Sequence, residues 1–145
     1  MFDQKASQQI CDLFNHLVTL GRKVVLGLPS AERVVGLVVI ARCEKDMNGF
    51  ASVFEQAFEA AEVDALIDGL RKLDEDNLAD EFARGHELLN RHGFYDHRDL
   101  KRIAGAEELL DQMDENIGDR LWDLDVKMVA LLEVENTGFD PERKK

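Results

Sequence analysis

The sequence is poor in the residues that interrupt or cross-link a chain. Its 145 residues include two prolines, two cysteines, one tyrosine and one tryptophan. So few prolines leave a many-turned β-sandwich without its usual punctuation. Cys11 and Cys43 lie among apolar neighbours and read as reduced core residues of a cytoplasmic protein, with a disulfide between them as the alternative. The stretch from Met1 to Lys5 has no basic region followed by an apolar core, so it does not read as a signal peptide. The longest apolar run, Val34 to Ala41, is too short to span a bilayer. No Gly-rich phosphate loop, Ser-centred elbow or Cys-x-x-Cys occurs.

Positive charge is also scarce. Thirty acids against eighteen bases give a formal charge of −12. Residues 1–45 hold 4 acids and 6 bases, residues 46–135 hold 24 acids and 9 bases, and residues 136–145 hold 2 acids and 3 bases. The middle part alone therefore carries −15. Such a field repels nucleic acid and anionic membrane and attracts basic surfaces, although simple solubility or a salt-loving source would also produce it.

What is abundant is apolar residues at helical spacing; hydrophobic residues make up 45% of the chain, which suits a packed domain. Ile10, Leu13, Phe14, Leu17 and Val18 predict a first amphipathic helix. The stretch from Lys23 to Pro29 reads equally as an extension of that helix or as an extended piece. Ser30 then offers an N-cap, with Glu32 placed to favour the helix dipole. Val34 to Ile40 is rich in β-branched residues, but the segment from Ala31 to Met47 is too long for an ordinary strand. It reads as the central, most buried helix. Asn48 and Gly49 tolerate left-handed backbone and mark a turn. Beyond them, Phe50, Val53, Phe54, Ala57 and Phe58 follow the helical period. The product is a helical hairpin that buries Phe50, Phe54 and Phe58, with Glu44, Asn48, Gly49, Phe50 and Phe54 as its structural hinge.

Val63 to Leu73 predicts a short helix with Leu66, Ile67, Leu70 and Leu73 inward. Asp74 caps the next, in which Leu78, Phe82, Leu88 and Leu89 face the core while Asp80, Glu81, Arg84 and Glu87 face water. His92 to Asp99 reads as a loop, with Gly93 at the helix C-terminus. Leu110, Met113, Ile117, Leu121, Leu124, Met128 and Leu131 make one apolar stripe about six turns long, with Trp122 beside it and Gly118 as a tolerated residue or a kink. The prediction is an all-α, single-domain bundle of about six to seven helices. Residues 1–29 form the N-terminal helix and connection, residues 30–135 the core, and residues 136–145 a polar tail.

Chemistry is harder to find. His86, His92 and His97 lie six and five residues apart, whereas a helix-borne ligand pair needs three or four. A loop site from His92, Asp96 and His97 is the remaining metal arrangement, against solvated histidines near a helix C-terminus. Asp74 to Asn77 lacks the Gly and Glu spacing of an EF-hand. No carboxylate pair stands out as a catalytic dyad, so the expectation is no enzyme and no cofactor. The acids of the last third are more telling. Glu107, Glu108, Asp111, Asp114, Glu115, Asp119, Asp123 and Asp125 share their stretch with a single base, Arg120. Asp111, Glu115, Asp119 and Asp123 recur every fourth residue, so one helix would carry them as a ridge with charges about 6 Å apart. Like charges at that spacing weaken a helix slightly. They could also stand in for backbone phosphates before a protein that meets DNA with Lys and Arg.

The hinge also carries a resemblance. Glu44 through Phe50, followed by Phe54, resembles a bacterial domain-of-unknown-function family whose signature is Glu, then Asn-Gly-Gly-Phe, then Gln and an aromatic pair. Glu44 and Phe50 keep the spacing, Gly49 matches the second glycine and Phe54 the last aromatic. Met47, Asn48 and Ser52 depart from the signature Asn, Gly and Gln. Looser similarity runs through Leu66 to Leu73, Leu78 to Phe82 and Leu121 to Val126, so that about residues 30–135 are covered. The resemblance implies an all-α domain, often a homodimer, with no known catalysis. One member of that family is an acidic DNA mimic that occupies a transcription factor. The expected role is therefore an acidic protein-binding module that covers the basic surface of a DNA-binding protein, with the eight acids as contacts and no direct binding of nucleic acid or membrane. The alternatives are an immunity-type inhibitor of a basic toxin or nuclease, and a small-molecule binder or enzyme with a pocket near Glu44, Asp46 and His92 or His97.

Overall fold

A computed structural model describes residues 4–18, 27–28 and 30–135. The predicted all-α single domain is what it shows, and no strand occurs among the described residues. The helices are α1 (Gln4–Val18), α2 (Ser30–Asn48), α3 (Ala60–Lys72), α4 (Asp76–Arg91), the single turn α5 (Phe94–His97), α6 (Ala106–Ile117) and α7 (Asp125–Glu135). Between them lie a π-helical turn, Val53–Ala57, and 3-10 turns at Leu100–Arg102 and Arg120–Asp123.

The helix α2 has no polar face along its middle, and it occupies the centre accordingly. Ala31 and every residue from Val34 to Arg42 are buried. It packs against α1, α3 and α7 and against the π turn. Such all-round apolarity leaves a helix nowhere to go but the interior. Around it, Ile10 and Leu13 of α1, and Val63, Leu66, Ile67 and Leu70 of α3, join one continuous core with Phe82, Phe94, Met113 and Met128. Helices approach closely where side chains are absent. A Cβ on Gly69 would lie 2.9 Å from Val34 Cγ2, which shows how tightly α3 sits on α2.

At the hairpin, Gly49 adopts φ +94°, a conformation that glycine reaches without strain. Its N–H donates to the carbonyl of Lys45, and the Ser52 N–H donates to the carbonyl of Gly49. Phe50, Phe54 and Phe58 are all buried as expected, but the helix that follows the turn is short. It widens into the π turn and ends at Ala57, leaving Phe58 extended at φ −120°, ψ 144°. Phe50, Phe54 and Phe82 form a ring cluster, with Phe50 and Phe54 edge-to-face at 5.6 Å.

Several local expectations are corrected. The last stripe is not one helix: α6 ends at Ile117, Gly118 turns the chain at φ +51°, and a 3-10 turn precedes α7. The apolar spacing survives the break because 3-10 and α turns both return to the same side every three or four residues. Leu110, Met113, Ile117, Leu121, Leu124 and Met128 are accordingly all buried. Asp74 does not cap α4; it takes left-handed backbone at φ +59°, and Glu75 stands at the cap position. Cys11 is exposed and Cys43 half-buried, and no disulfide joins them, so neither belongs to the fully buried core. The side chains of Leu17 and Val18, most of residues 23–29 and the tail at 136–145 lie outside the described residues.

Candidate partner-binding surface

Helix α6 begins after Gly105, in left-handed backbone at φ +80°, and places Glu107 and Glu108 in its first turn. There the helix dipole favours their charge, a local reason for two acids at that point. Along its exposed side, Glu107, Asp111 and Glu115 are one turn apart, with Glu108 beside them. The helical rise puts about 6 Å between successive members. None of these four has an ion-pair partner among the described residues. The opposite flank of α6 is engaged with α4: Asn116 donates to Glu81, which also accepts from Arg84, and Arg84 reaches Gln112.

The eight acids separate by position. Glu107, Glu108, Asp111 and Glu115 share the exposed side of α6. Asp114 is half-buried and paired with Lys45 at 3.1 Å. Asp119 and Asp123 are exposed but stand in the turn after Gly118, so the four-residue ridge does not run on through them. Asp125 faces inward. It is buried and takes Arg42 Nη1 at 2.7 Å, because α2 brings a guanidinium into the interior that needs a counter-charge. The helical ridge is thus Glu107, Asp111 and Glu115, not the series Asp111, Glu115, Asp119 and Asp123.

Sequence reasoning missed Glu55. The π turn sets it opposite α6, where it joins Glu107, Glu108 and Asp111 around an open groove of about 470 Å³ floored by Ala51, Leu100 and Leu110. Only the tertiary fold, which lines one groove with residues of this segment and of α6, places it there. It also missed the role of the bases, which are largely drawn inward or onto neighbouring acids. Lys127 holds Glu75 at 2.7 Å with Arg120 at 3.6 Å, and Arg71 holds Asp80 at 3.0 Å. Arg42 donates to the carbonyl of Leu121 and lies under the ring of Trp122 at 4.2 Å.

The hinge residues hold one another. The Glu44 carboxylate, almost buried, accepts from Ser52 Oγ at 2.5 Å and from Asn48 Nδ2 at 3.0 Å. Two of the three positions that depart from the signature thus still serve the turn. Arg98 ties the far end of the same segment, donating to the carbonyls of Phe54 and Phe58 and pairing with Glu59.

The histidines do not converge. Among the described residues no group of three or more His, Cys, Asp or Glu side chains is placed to hold a metal ion. His92 is exposed, and His97 Nδ1 accepts from the Asp99 N–H. His86 is buried between two partners, Asp64 at Nε2 and the Tyr95 hydroxyl at Nδ1, each at 2.8 Å. An ionised carboxylate only accepts, so in the neutral ring Nε2–H donates to Asp64 and Nδ1 accepts the hydrogen bond of the Tyr95 hydroxyl. Burial pushes the Tyr95 phenol well above its ordinary value; Arg98 opposes the shift and Asp64 adds to it. Among the described residues no helix is long and apolar enough to cross a membrane.

The fold and this surface define an all-α acidic domain that exposes a row of carboxylates along α6. The chain belongs to the DMP19-like protein family, whose model matches residues 26–142. That match covers the domain broadly and does not single out the signature at Glu44 to Phe54. Neither the comparison with curated proteins nor that with solved structures returned a match.

Proposed function

We propose that this protein is a cytoplasmic acidic binding module that mimics DNA, covering the basic surface of a DNA-binding protein, and that it performs no catalysis. The observation that carries the reading is the row Glu107, Asp111 and Glu115, exposed and without ion-pair partners among the described residues. Its spacing of about 6 Å is close to two phosphate steps of one DNA strand along the duplex axis, about 7 Å. Membership of the DMP19-like family supports it, as does the resemblance to a family that includes a DNA mimic. A protein that reads DNA through phosphate contacts presents Lys and Arg to such a row. The homodimer implied by the resemblance would use the outer side of α7, where Val126 and Val134 are exposed.

The test is capture of proteins from the native cytosol on the immobilised protein, with elution by rising salt and by duplex DNA. Wild type is expected to release a DNA-binding protein to either eluent, because both compete for the same charges. The double variant Asp111→Lys/Glu115→Lys is expected to keep its helicity and lose that capture. Identical capture by the variant would remove α6 from the interface. A captured nuclease toxin in place of a transcription factor would support the inhibitor reading instead.

A further inference from the structure

The single tryptophan is held with one face covered and the other open. The Arg42 guanidinium lies under the Trp122 ring, 4.2 Å from its centroid, yet the residue keeps 40% of its surface exposed. Beneath the ring, Asp125 offsets the Arg42 charge at 2.7 Å, so a cation arriving from outside meets a neutral pair. Beside it stands Asp119. Its carbonyl accepts the Trp122 N–H at 2.9 Å, which makes the two residues i and i+3 of a 3-10 turn. Side chains at those positions eclipse, so an exposed carboxylate and the indole share one edge of the turn. The neighbouring base does not neutralise that carboxylate, because Arg120 reaches to Glu75 at 3.6 Å.

We propose that Asp119 and Trp122 form a receptor for an arginine side chain of the protein partner. The guanidinium stacks on the outer face of the indole and pairs with the Asp119 carboxylate. Arginine suits the pair better than lysine, since a planar guanidinium can stack and hydrogen-bond at once whereas an ammonium is a compact, strongly hydrated point charge. The inference rests on the reading that the acidic face receives a basic protein, and it names the side chain that this edge of the face selects. A lysine ammonium can also sit over a ring but stays strongly hydrated at an exposed site, so the preference for arginine is at most the energy of an exposed cation–π contact, a factor of about 2 to 5.

Hexa-arginine and hexa-lysine peptides separate the two claims. Each is titrated into the intact protein at low salt, followed by calorimetry and by the fluorescence of Trp122, the only tryptophan in the chain. The expected result is that both peptides bind, hexa-arginine about 2- to 5-fold more tightly, and that hexa-arginine alone changes the emission strongly. Asp119→Asn and Trp122→Leu should each reduce that preference toward one while leaving hexa-lysine binding in place. Should Trp122→Leu fail to fold, Asp119→Asn and the wild-type emission carry the test. Equal affinities with an unchanged emission would overturn the arginine receptor and leave the acidic surface standing. No binding of either peptide would overturn both readings.

Discussion

Arg42 enters the interior on a helix that offers it no polar neighbour along its own middle. Its charge is met from across the fold by Asp125, by the Leu121 carbonyl and by the face of Trp122, while its Nε has no hydrogen-bond partner among the described residues. Removing one member of such a pair leaves the other ion stranded. Asp125→Asn is therefore expected to lose about 3–5 kcal/mol, whereas an apolar pair, Arg42→Met with Asp125→Leu, should lose far less. Denaturant unfolding of both variants measures the difference. Tyr95, the only tyrosine, supplies a second probe at this scale. Its folded-state pKa is raised above the ordinary 10.0, so folding favours the neutral phenol. The associated stability is complete below that ordinary value and is lost as pH rises through the folded one. Phenolate absorbance in an alkaline titration should stay low at pH 10–11 while the far-ultraviolet helical signal is intact. Ionisation near the ordinary value in folded protein would show that Tyr95 is not held by His86 and its neighbours.

Between elements, contact distance decides which small residues matter. At Gly69 an added Cβ meets the branched end of Val34 at 2.9 and 3.1 Å, and a β-branched side chain in the middle of α2 has little freedom to turn. At Gly85 the same atom would meet Met113 Sδ at 2.5 Å, but a thioether can swing away. Alanine improves helix propensity by about 1 kcal/mol at either site, against an overpacking cost of about 1–3 kcal/mol where the neighbour is stiff. Gly69→Ala is thus expected to destabilise by up to about 2 kcal/mol and to be rescued by Val34→Ala. Gly85→Ala should be close to neutral. Thermal unfolding of the three variants checks the order. A stabilised Gly69→Ala would mean that α3 can move off α2 without penalty.

Across the whole molecule the dominant quantity is unbalanced charge. Residues 46–135 carry −15, and the row on α6 lacks compensating ion pairs among the described residues. Self-repulsion opposes the compact state at low ionic strength and is screened over about 10 Å at 0.1 M salt. The melting temperature of the isolated protein should therefore rise between low salt and 0.1–0.2 M sodium chloride. A flat or falling response would mean that the internal ion pairs outweigh the repulsion. The same salt weakens capture of a basic partner, so stability and binding should move in opposite directions.

Helical periodicity was enough to read the fold class, the burial of α2 and the hairpin at Gly49, because each is written locally. An apolar helix must be central, and a glycine at φ +94° must end one. The composition likewise determined the concentration of negative charge in residues 46–135. Position in space was another matter. Nothing in the spacing distinguishes Asp125, buried against Arg42, from Asp111 on the surface. Nothing in it shows that Gly118 ends α6 either, since the apolar stripe continues across the break. Glu55 joined the acidic groove, and Trp122 came to rest on a buried guanidinium, through contacts between segments far apart in sequence. A carboxylate's role depends on which charge the fold brings near it, and that is settled only when helices pack.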